Sequence, residues 1–139
     1  MALASPGAAA AGTITEFSIP TAAARAHGIT AGPDGNLWFT EALGNQIGRI
    51  TPSGHFTEFP VPTPGSYPFD ITAGPDLNLW FTEALRNKIG RVTPTGTFKR
   101  FSIPSNASSP LGITAGPDGN LWFTESDGEI GRASCRERV

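Results

Sequence analysis

The stretch Gly28-Ile-Thr-Ala-Gly-Pro-Asp-Gly-Asn-Leu-Trp-Phe-Thr-Glu41 recurs almost unchanged at residues 70–83 and again at residues 112–125. A fixed period of this length is typical of stacked or radial repeat proteins, in which each unit buries its apolar face against the next unit. The sequence of 139 residues therefore predicts an architecture of three repeats. Their tryptophans stand 42 residues apart, at Trp38, Trp80 and Trp122.

Each repeat is predicted to form four short strands. In the first repeat these cover residues 28–31, 37–41, 47–51 and 56–61, and the turn-forming sequence Pro-Asp-Gly-Asn over 33–36 separates the first two. No stretch shows sustained helical periodicity. Four strands in about 40 to 45 residues are typical of a propeller blade. We therefore predict an all-β fold, a β-propeller of four-stranded antiparallel blades, here an incomplete arc of about three 42-residue repeats.

The ends of the chain depart from the repeat. Residues 1–11 are rich in alanine and predicted to be disordered, and residues 13–19 are predicted as the outer strand of an otherwise absent blade. Residues 130–139 resemble the in-frame translation of a sequencing-adapter oligonucleotide, which predicts a non-native tail over 133–139 and no catalytic role for Cys135. The partial propeller is expected over 12–132, with repeats 12–53, 54–95 and 96–132.

Composition restricts the partners of the chain. The formal net charge is −2 and no dense basic patch is interleaved with aromatic residues, so we expect no nucleic-acid partner. No apolar run reaches the roughly 18 residues of a membrane span, so we expect no membrane partner. The N-terminal residues lack the basic leader and long apolar stretch of a signal peptide. The compartment stays open between bacterial cytoplasmic and secreted.

The repeat resembles that of the virginiamycin B lyase, or streptogramin lyase, family over residues 12 to 132. The resemblance lies in the tryptophan stretch, in Asn87-Lys-Ile-Gly-Arg-Val-Thr-Pro94 and in Thr15-Glu-Phe-Ser-Ile-Pro20. It implies a seven-bladed propeller and a magnesium-dependent elimination that opens the lactone ester of type B streptogramins. The implied substrate is thus a small molecule, a cyclic depsipeptide antibiotic, and the implied cofactor is Mg²⁺.

The resemblance also implies site residues. The family places Glu-x-His before Gly-Ile and a further Glu at the end of Trp-Phe-Thr-Glu. His27 occupies the histidine position and is the candidate catalytic base, and Glu41 occupies the second glutamate position and is the candidate metal ligand. Arg25 stands where the family has its first glutamate. The family's other catalytic histidine and its tyrosine belong to blades that this chain does not contain.

The spacing of His27 and Glu41 gives an independent expectation. The two residues are nearly symmetric about the Asp34-Gly35 turn, so a regular hairpin would place them opposite each other with Cβ atoms about 5 Å apart. Residue 25 would then lie on the same strand face as His27. We expect Arg25 to pair with Glu41 and to weaken the binding of Mg²⁺.

Structural interpretations compete with each functional one. Glutamates recur at the position of Glu41, which favours a structural role, whereas Phe69 and Leu111 replace His27 in later repeats. His27 could nevertheless be a packed or solvent-facing side chain. The tryptophans are expected in the core, the repeated aspartates as turn formers and the repeated arginines as their structural partners. These residues are Asp34, Asp76, Asp118, Arg49, Arg91 and Arg132.

Two functions remain open at this point. One is a streptogramin-type lyase in the full-length protein, with this fragment inactive because its catalytic set is incomplete. The other is a non-catalytic propeller of the NHL-like type that binds a ligand or a protein. In both cases the bare blade faces and unpaired strand edges at the two ends of the arc predict self-association of the fragment.

Overall fold

The computed structural model of the chain describes residues 11–135. The predictions for residues 1–10 and 136–139, which belong to the Ala-rich segment and the tail, lie outside the described residues. Between residues 11 and 135 the regular structure consists of strands, without helices. No helix in this part of the chain is long and apolar enough to cross a membrane.

The first two sheets are complete four-stranded antiparallel blades whose strands follow chain order. Both begin with a strand that carries the Gly-Ile-Thr-Ala type of sequence and continue through the tryptophan strand. Blade 1 contains β1 (Ala26–Ala31), β2 (Leu37–Glu41), β3 (Gln46–Ile50) and β4 (Phe56–Pro60). Blade 2 contains β5 (Pro68–Ala73), β6 (Leu79–Glu83), β7 (Lys88–Val92) and β8 (Phe98–Ser102).

The third sheet has three strands within residues 11–135. They are β9 (Pro110–Ala115), β10 (Asn120–Glu125) and β11 (Ile130–Ser134). This sheet is blade 3. The predicted all-β fold and incomplete propeller arc are therefore confirmed, with two four-stranded blades and one that lacks its fourth strand among the described residues. The first two residues of the predicted non-native tail, Ala133 and Ser134, continue β11.

Consecutive blades pack through apolar clusters. The inner strands β1, β5 and β9 contact one another in sequence. Two buried clusters then form where blade 1 meets blade 2 and where blade 2 meets blade 3, and Trp38 and Trp80 are almost completely buried in them. Because blade 2 is covered on both faces by its neighbours, its second strand can be apolar at consecutive positions rather than alternating.

Each tryptophan is fixed by the turn that precedes it. The Trp80 indole N–H donates to Asp76 Oδ1 at 3.0 Å, and the backbone N–H of Asn78 donates to the same oxygen. The Arg91 guanidinium lies 5.6 Å from the centre of the Trp80 ring and 3.9 Å from Asp76 Oδ2. The same arrangement holds Trp38 and Trp122, which confirms the expected roles of the repeated aspartates and arginines.

Asparagine side chains connect one blade to the next. Asn45 adopts a left-handed backbone conformation, with φ of 53°, and its side-chain amide donates to the carbonyl oxygens of Val61 and Thr63. Its Oδ1 accepts from the backbone N–H and the hydroxyl of Ser66. The segment that crosses from β4 to β5 is therefore tied to blade 1. Asn87 holds the crossing from blade 2 to blade 3 in the same way.

One part of the predicted fold is wrong. Residues 13–19 do not form a strand, although Phe17 packs on Gly54 as Phe59 packs on Gly96. A β-strand is defined by hydrogen bonds to a neighbour, and the strand that would pair with 13–19 is not among residues 11–135. The segment keeps its position on blade 1 without a ladder.

We expect Asp76→Ala to lower the free energy of unfolding by about 1 to 3 kcal/mol, because it leaves the buried Trp80 N–H without an acceptor. Asp118→Ala is the matched control. Its side chain is 36% exposed, against 17% for Asp76, so water can replace the lost bond and the loss should be smaller. Urea unfolding followed by tryptophan fluorescence measures both. Equal losses would contradict the argument.

Candidate functional site

A β-bulge displaces the predicted site pair. The β1–β2 hairpin has the expected register from Ala31↔Leu37 to Ile29↔Phe39, but beyond Ile29 the register shifts and Glu41 pairs with Ala26. The prediction that His27 lies opposite Glu41 is therefore wrong. One extra residue on β1 bends the strand and redirects its side chains, as bulges commonly do.

A threonine holds this bulge in place. Thr40 Oγ1 accepts a hydrogen bond from the backbone N–H of Gly28 at 3.0 Å and donates to the carbonyl oxygen of Phe69 in blade 2 at 2.9 Å. Thr82 forms the equivalent pair of bonds with Asp70 and Leu111. The hydroxyl therefore joins the bulge of one blade to the inner strand of the next, so the position of residue 27 depends on both blades.

His27 is exposed and lies against blade 2. Its ring centre is 4.5 Å from that of Phe69 and 5.8 Å from that of Tyr67. Its Nε2 is 3.4 Å from the Tyr67 hydroxyl, with which it can form a hydrogen bond. An accessible imidazole that is oriented by a neighbouring hydroxyl can exchange a proton with a bound molecule near neutral pH. The site around His27 thus consists of residues from β1 and from the start of blade 2.

Glu41 has a different environment. Its side chain is completely buried. Gln46 Nε2 lies 3.5 Å from its Oε2, and its Oε1 has no hydrogen-bond donor. Burial and then the negative charge and acceptor oxygens of Glu58 raise the pKa of Glu41 from 4.5 to about 7. A proton on Glu41 allows it to donate toward Glu58, which itself accepts from the N–H and hydroxyl of Thr21.

Blade 2 provides an internal comparison. Glu83 is the equivalent of Glu41 and is also completely buried. Burial raises its pKa, but the Thr63 hydroxyl and the positive charges of Arg100 and Lys88 oppose the rise. Arg100 occupies the position that Glu58 has in blade 1. The repeated glutamate is thus a buried structural residue, and the neighbouring strand determines whether a positive charge or a proton compensates its charge.

Arg25 does not form the predicted ion pair. It is exposed, adopts a left-handed backbone with φ of 53°, and accepts a hydrogen bond at its carbonyl from the N–H of Ala42. Among the ion pairs of residues 11–135, none joins Arg25 to Glu41. The bulge places Ala26 opposite Glu41 instead.

The side chains of this region do not fit a magnesium ion. Mg²⁺ prefers several oxygen ligands and keeps some of its water. Over residues 11–135, no group of three or more His, Cys, Asp or Glu side chains converges. Glu41 is enclosed beside another carboxylate rather than open to a cation and its water. The ligand role of Glu41 stays a prediction that receives no support from this geometry.

Two further residues near His27 were not predicted as site residues from the sequence. Tyr67 occupies the position of Arg25 in the second repeat, and Asp70 occupies the position of Gly28 and Gly112. Asp70 accepts from the N–H of Ile71 at 2.9 Å and from the N–H of Ile113 at 2.9 Å, so it joins β5 to β9. Both depart from the repeat, and comparison of the repeats position by position would have identified them.

The stacked four-stranded sheets, with tryptophans at equivalent places, define the chain as part of a β-propeller. Its sequence identifies the family within that class. The model of the Virginiamycin B lyase family matches residues 7–139. The chain therefore belongs to the Virginiamycin B lyase family.

Individual relatives agree with this assignment. The virginiamycin B lyase of Bordetella pertussis is 46% identical over 41 residues, which are 30% of this chain and 14% of the relative. That of Saccharopolyspora erythraea is 49% identical over 41 residues, with the same coverage of both chains.

Solved structures extend the similarity to most of the chain. A Staphylococcus aureus virginiamycin B lyase superposes with a TM-score of 0.81 at 45% identity, and the match covers 91% of this chain and 46% of that one. A catalytically inactive histidine-to-alanine variant of this lyase, solved with quinupristin, matches at 44% identity and a TM-score of 0.81, over 91% and 47% of the two chains. The chain thus spans about half the length of these lyases.

We predict that the pair Glu41–Glu58 makes the stability of the fold depend on pH. The folded chain binds the Glu41 proton more tightly than the unfolded chain, so this stabilisation is complete below about pH 4.5 and is lost as the pH rises through about 7. Glu58→Arg introduces the charge that blade 2 has and should lower the pKa of Glu41. The free energy of unfolding of Glu58→Arg minus that of the original chain should therefore be about 1 to 3 kcal/mol larger at pH 8 than at pH 5.

The reverse exchange in blade 2, Arg100→Glu, is the control. It should destabilise the chain more at pH 8 than at pH 5, because it places a second carboxylate beside Glu83. Urea unfolding at both pH values gives the free energies. If Glu58→Arg and the original chain differ in free energy of unfolding by the same amount at pH 5 and at pH 8, Glu41 does not carry the proton.

Proposed function

We propose that this chain forms part of a propeller which, when complete, opens the lactone ring of type B streptogramins by elimination, and that the 139 residues alone are inactive. The observation that supports the proposal is the family match over residues 7–139, together with 45% identity to the Staphylococcus aureus lyase over 91% of the chain. The quinupristin in the related crystal structure supports a cyclic depsipeptide antibiotic as the substrate.

The proposed reaction needs a base and no water. The base removes a proton from the carbon next to a carbonyl, a carbon–carbon double bond forms, and the C–O bond to the ester oxygen breaks. The ester oxygen leaves as a carboxylate, so the ring opens without hydrolysis. Histidine suits the first step because its charge changes near neutral pH.

Within this chain, His27 is the proposed base. Its ring is exposed and Tyr67 lies within reach of Nε2, so a substrate could approach the imidazole from solvent. Magnesium is proposed for the complete propeller only, since the residues described above do not gather the oxygen ligands that it prefers. The proposal for the short chain therefore includes no step that depends on the metal.

A binding propeller of the NHL-like type is the second candidate. The observations that favour it are Arg25 at the position of the family's first glutamate and Glu41 enclosed beside Glu58. The fold itself does not discriminate, because a chain of the nidogen–laminin complex shares it at 22% identity and a TM-score of 0.65. This candidate predicts specific binding of a partner and no change in the antibiotic.

The two candidates differ in their effect on the antibiotic. We expect the complete propeller to convert quinupristin, in the presence of Mg²⁺, to a linear product of unchanged mass, because elimination adds no water. We expect the 139-residue chain to leave it intact. Liquid chromatography with mass spectrometry distinguishes the products, since hydrolysis would add the mass of one water. An unchanged antibiotic with the complete propeller would exclude the lyase and favour the binding propeller.

The two histidines of the chain give a matched test of the base. In the complete propeller, His27→Ala should lower kcat by about 10²- to 10⁴-fold. His55→Ala should leave kcat unchanged, since His55 is an exposed residue of the segment before β4. An active His27→Ala variant would assign the base to another blade while leaving the proposed reaction intact.

A further inference from the structure

The turn before the first strand of each blade has the same backbone in all three repeats. Arg25, Tyr67 and Ser109 occupy one position of this turn, with φ of 53°, 55° and 47°. This left-handed region is unfavourable for residues with such side chains. It is held because the carbonyl oxygen of each residue accepts a backbone N–H from the loop after the second strand, as that of Tyr67 does from Ala84. Since arginine and serine adopt the same turn, the backbone does not require a tyrosine at position 67.

The turn brings Tyr67 to His27 across the boundary between blades 1 and 2. Its neighbour Ser66 is buried and donates through its N–H and its hydroxyl to Asn45 Oδ1 of blade 1. The Tyr67 hydroxyl lies 3.4 Å from His27 Nε2. Phe69 packs on the same imidazole, with ring centres 4.5 Å apart and an angle of 32° between the ring planes. The imidazole thus contacts an apolar ring that restricts its plane and a hydroxyl that meets one of its nitrogens.

The two nitrogens of His27 have different surroundings. Nε2 faces the Tyr67 hydroxyl, whereas Nδ1 has no hydrogen-bond partner between residues 11 and 135. In a neutral imidazole one nitrogen carries a hydrogen and the other a lone pair. A hydroxyl that donates to Nε2 would occupy that lone pair and leave the hydrogen on Nδ1. A hydroxyl oxygen that accepts from Nε2–H leaves the lone pair free on Nδ1, and this arrangement alone keeps His27 available as a base.

We propose that Tyr67 is a positioning residue for His27, whose hydroxyl oxygen accepts the Nε2–H bond, selects the tautomer with its lone pair on Nδ1, and makes Nδ1 the atom that takes the proton. This inference rests on the proposed lyase function. The tyrosine transfers no proton in this role, and its contact with the imidazole orients the ring and stabilises the positive charge that the ring acquires.

The proton transfer is balanced at Nδ1. Nδ1 of His27 takes the proton from the carbon next to the carbonyl, and the electron pair of that C–H bond forms the carbon–carbon double bond. The electron pair of the C–O bond leaves with the ester oxygen, which becomes a carboxylate. The imidazolium keeps its Nε2–H bond to Tyr67 throughout and then releases the Nδ1 proton to water, which restores the starting tautomer.

The first test determines the tautomer in the 139-residue chain and needs no antibiotic. Nitrogen-15 NMR of labelled histidine at a pH where the imidazoles are neutral distinguishes a nitrogen with a hydrogen from one with a lone pair. The chain has two histidines, so His55→Ala assigns the signals. We expect the hydrogen of His27 on Nε2, and Tyr67→Phe should shift its tautomer distribution toward that of His55.

Phe69→Leu is the matched control for this measurement. Leucine stands at the equivalent position in blade 3, as Leu111, so the fold accommodates it. This variant removes the ring contact and keeps the hydroxyl, and the hydrogen should therefore stay on Nε2 of His27. A hydrogen on Nδ1 in the original chain, or an unchanged distribution in Tyr67→Phe, would overturn the proposal.

The second test measures turnover of quinupristin by the complete propeller. Tyr67→Phe should lower kcat by about tenfold with little change in KM, because it removes one hydrogen bond that strengthens as the imidazole becomes charged. Ser109→Ala changes the same turn position in blade 3 and should leave kcat unchanged. A kcat for Tyr67→Phe equal to that of the unaltered propeller would overturn the positioning role alone. If the unaltered propeller leaves the antibiotic intact, the proposed function is wrong, and the tautomer measurement decides the hydrogen bond by itself.

Discussion

The stacking of one blade on the next depends on the hydrogen bond from a tryptophan indole to the aspartate of its own turn. A buried indole N–H needs an acceptor, and the turn before β2 or β6 provides one at 3.0 Å. The bond fixes the plane of the ring, so its apolar surface can meet the isoleucine, leucine and phenylalanine of the following blade. The arginine of the repeat balances the aspartate charge and contacts the indole by a cation–π interaction.

The same turn makes an exposed carboxylate strongly acidic. At Asp118 the hydrogen bonds from Asn120 and Trp122 lower the pKa to about 2. At Asp34, burial acts in the opposite direction, but the bonds from Trp38 and Asn36 prevail and its pKa is also lowered. These carboxylates therefore stay charged over the usual pH range, while Glu41 near the other end of the same strand does not. One short hairpin thus contains both a permanent charge and a carboxyl that titrates near neutrality.

Most of the fold could be predicted from the sequence because the same local signals for turns and strands recur in every repeat. The 42-residue period, the Pro-Asp-Gly-Asn turn and the consecutive apolar residues of Leu37–Glu41 specify a blade without reference to distant contacts. Two errors arose where the structure departs from local rules. Residues 13–19 have the sequence of a strand, but no strand between residues 11 and 135 pairs with them, and hydrogen bonding to a neighbouring strand is what defines a strand. The bulge at Gly28 is held by the Thr40 hydroxyl, which also bonds Phe69 in the next blade. The symmetry of a single hairpin cannot predict this contact, because it depends on how two blades pack.

The candidate site was only partly predictable for the same reason. His27 stood out as a residue that is not repeated, but its neighbours belong to the second repeat, and their approach depends on how two blades pack. Tyr67 and Asp70 also differ from their equivalents in the other repeats; Tyr67 contacts His27, and Asp70 lies against Gly28 of blade 1 while it bonds Ile113 of blade 3. In a repeat protein the repeated residues maintain the stack, so residues that differ between repeats are the ones available for specific chemistry. His27, Tyr67 and Asp70 come together where blade 1 meets blade 2, since Tyr67 lies 3.4 Å from the His27 ring and Asp70 lies against Gly28, and this is the strongest structural reason to seek function at this boundary.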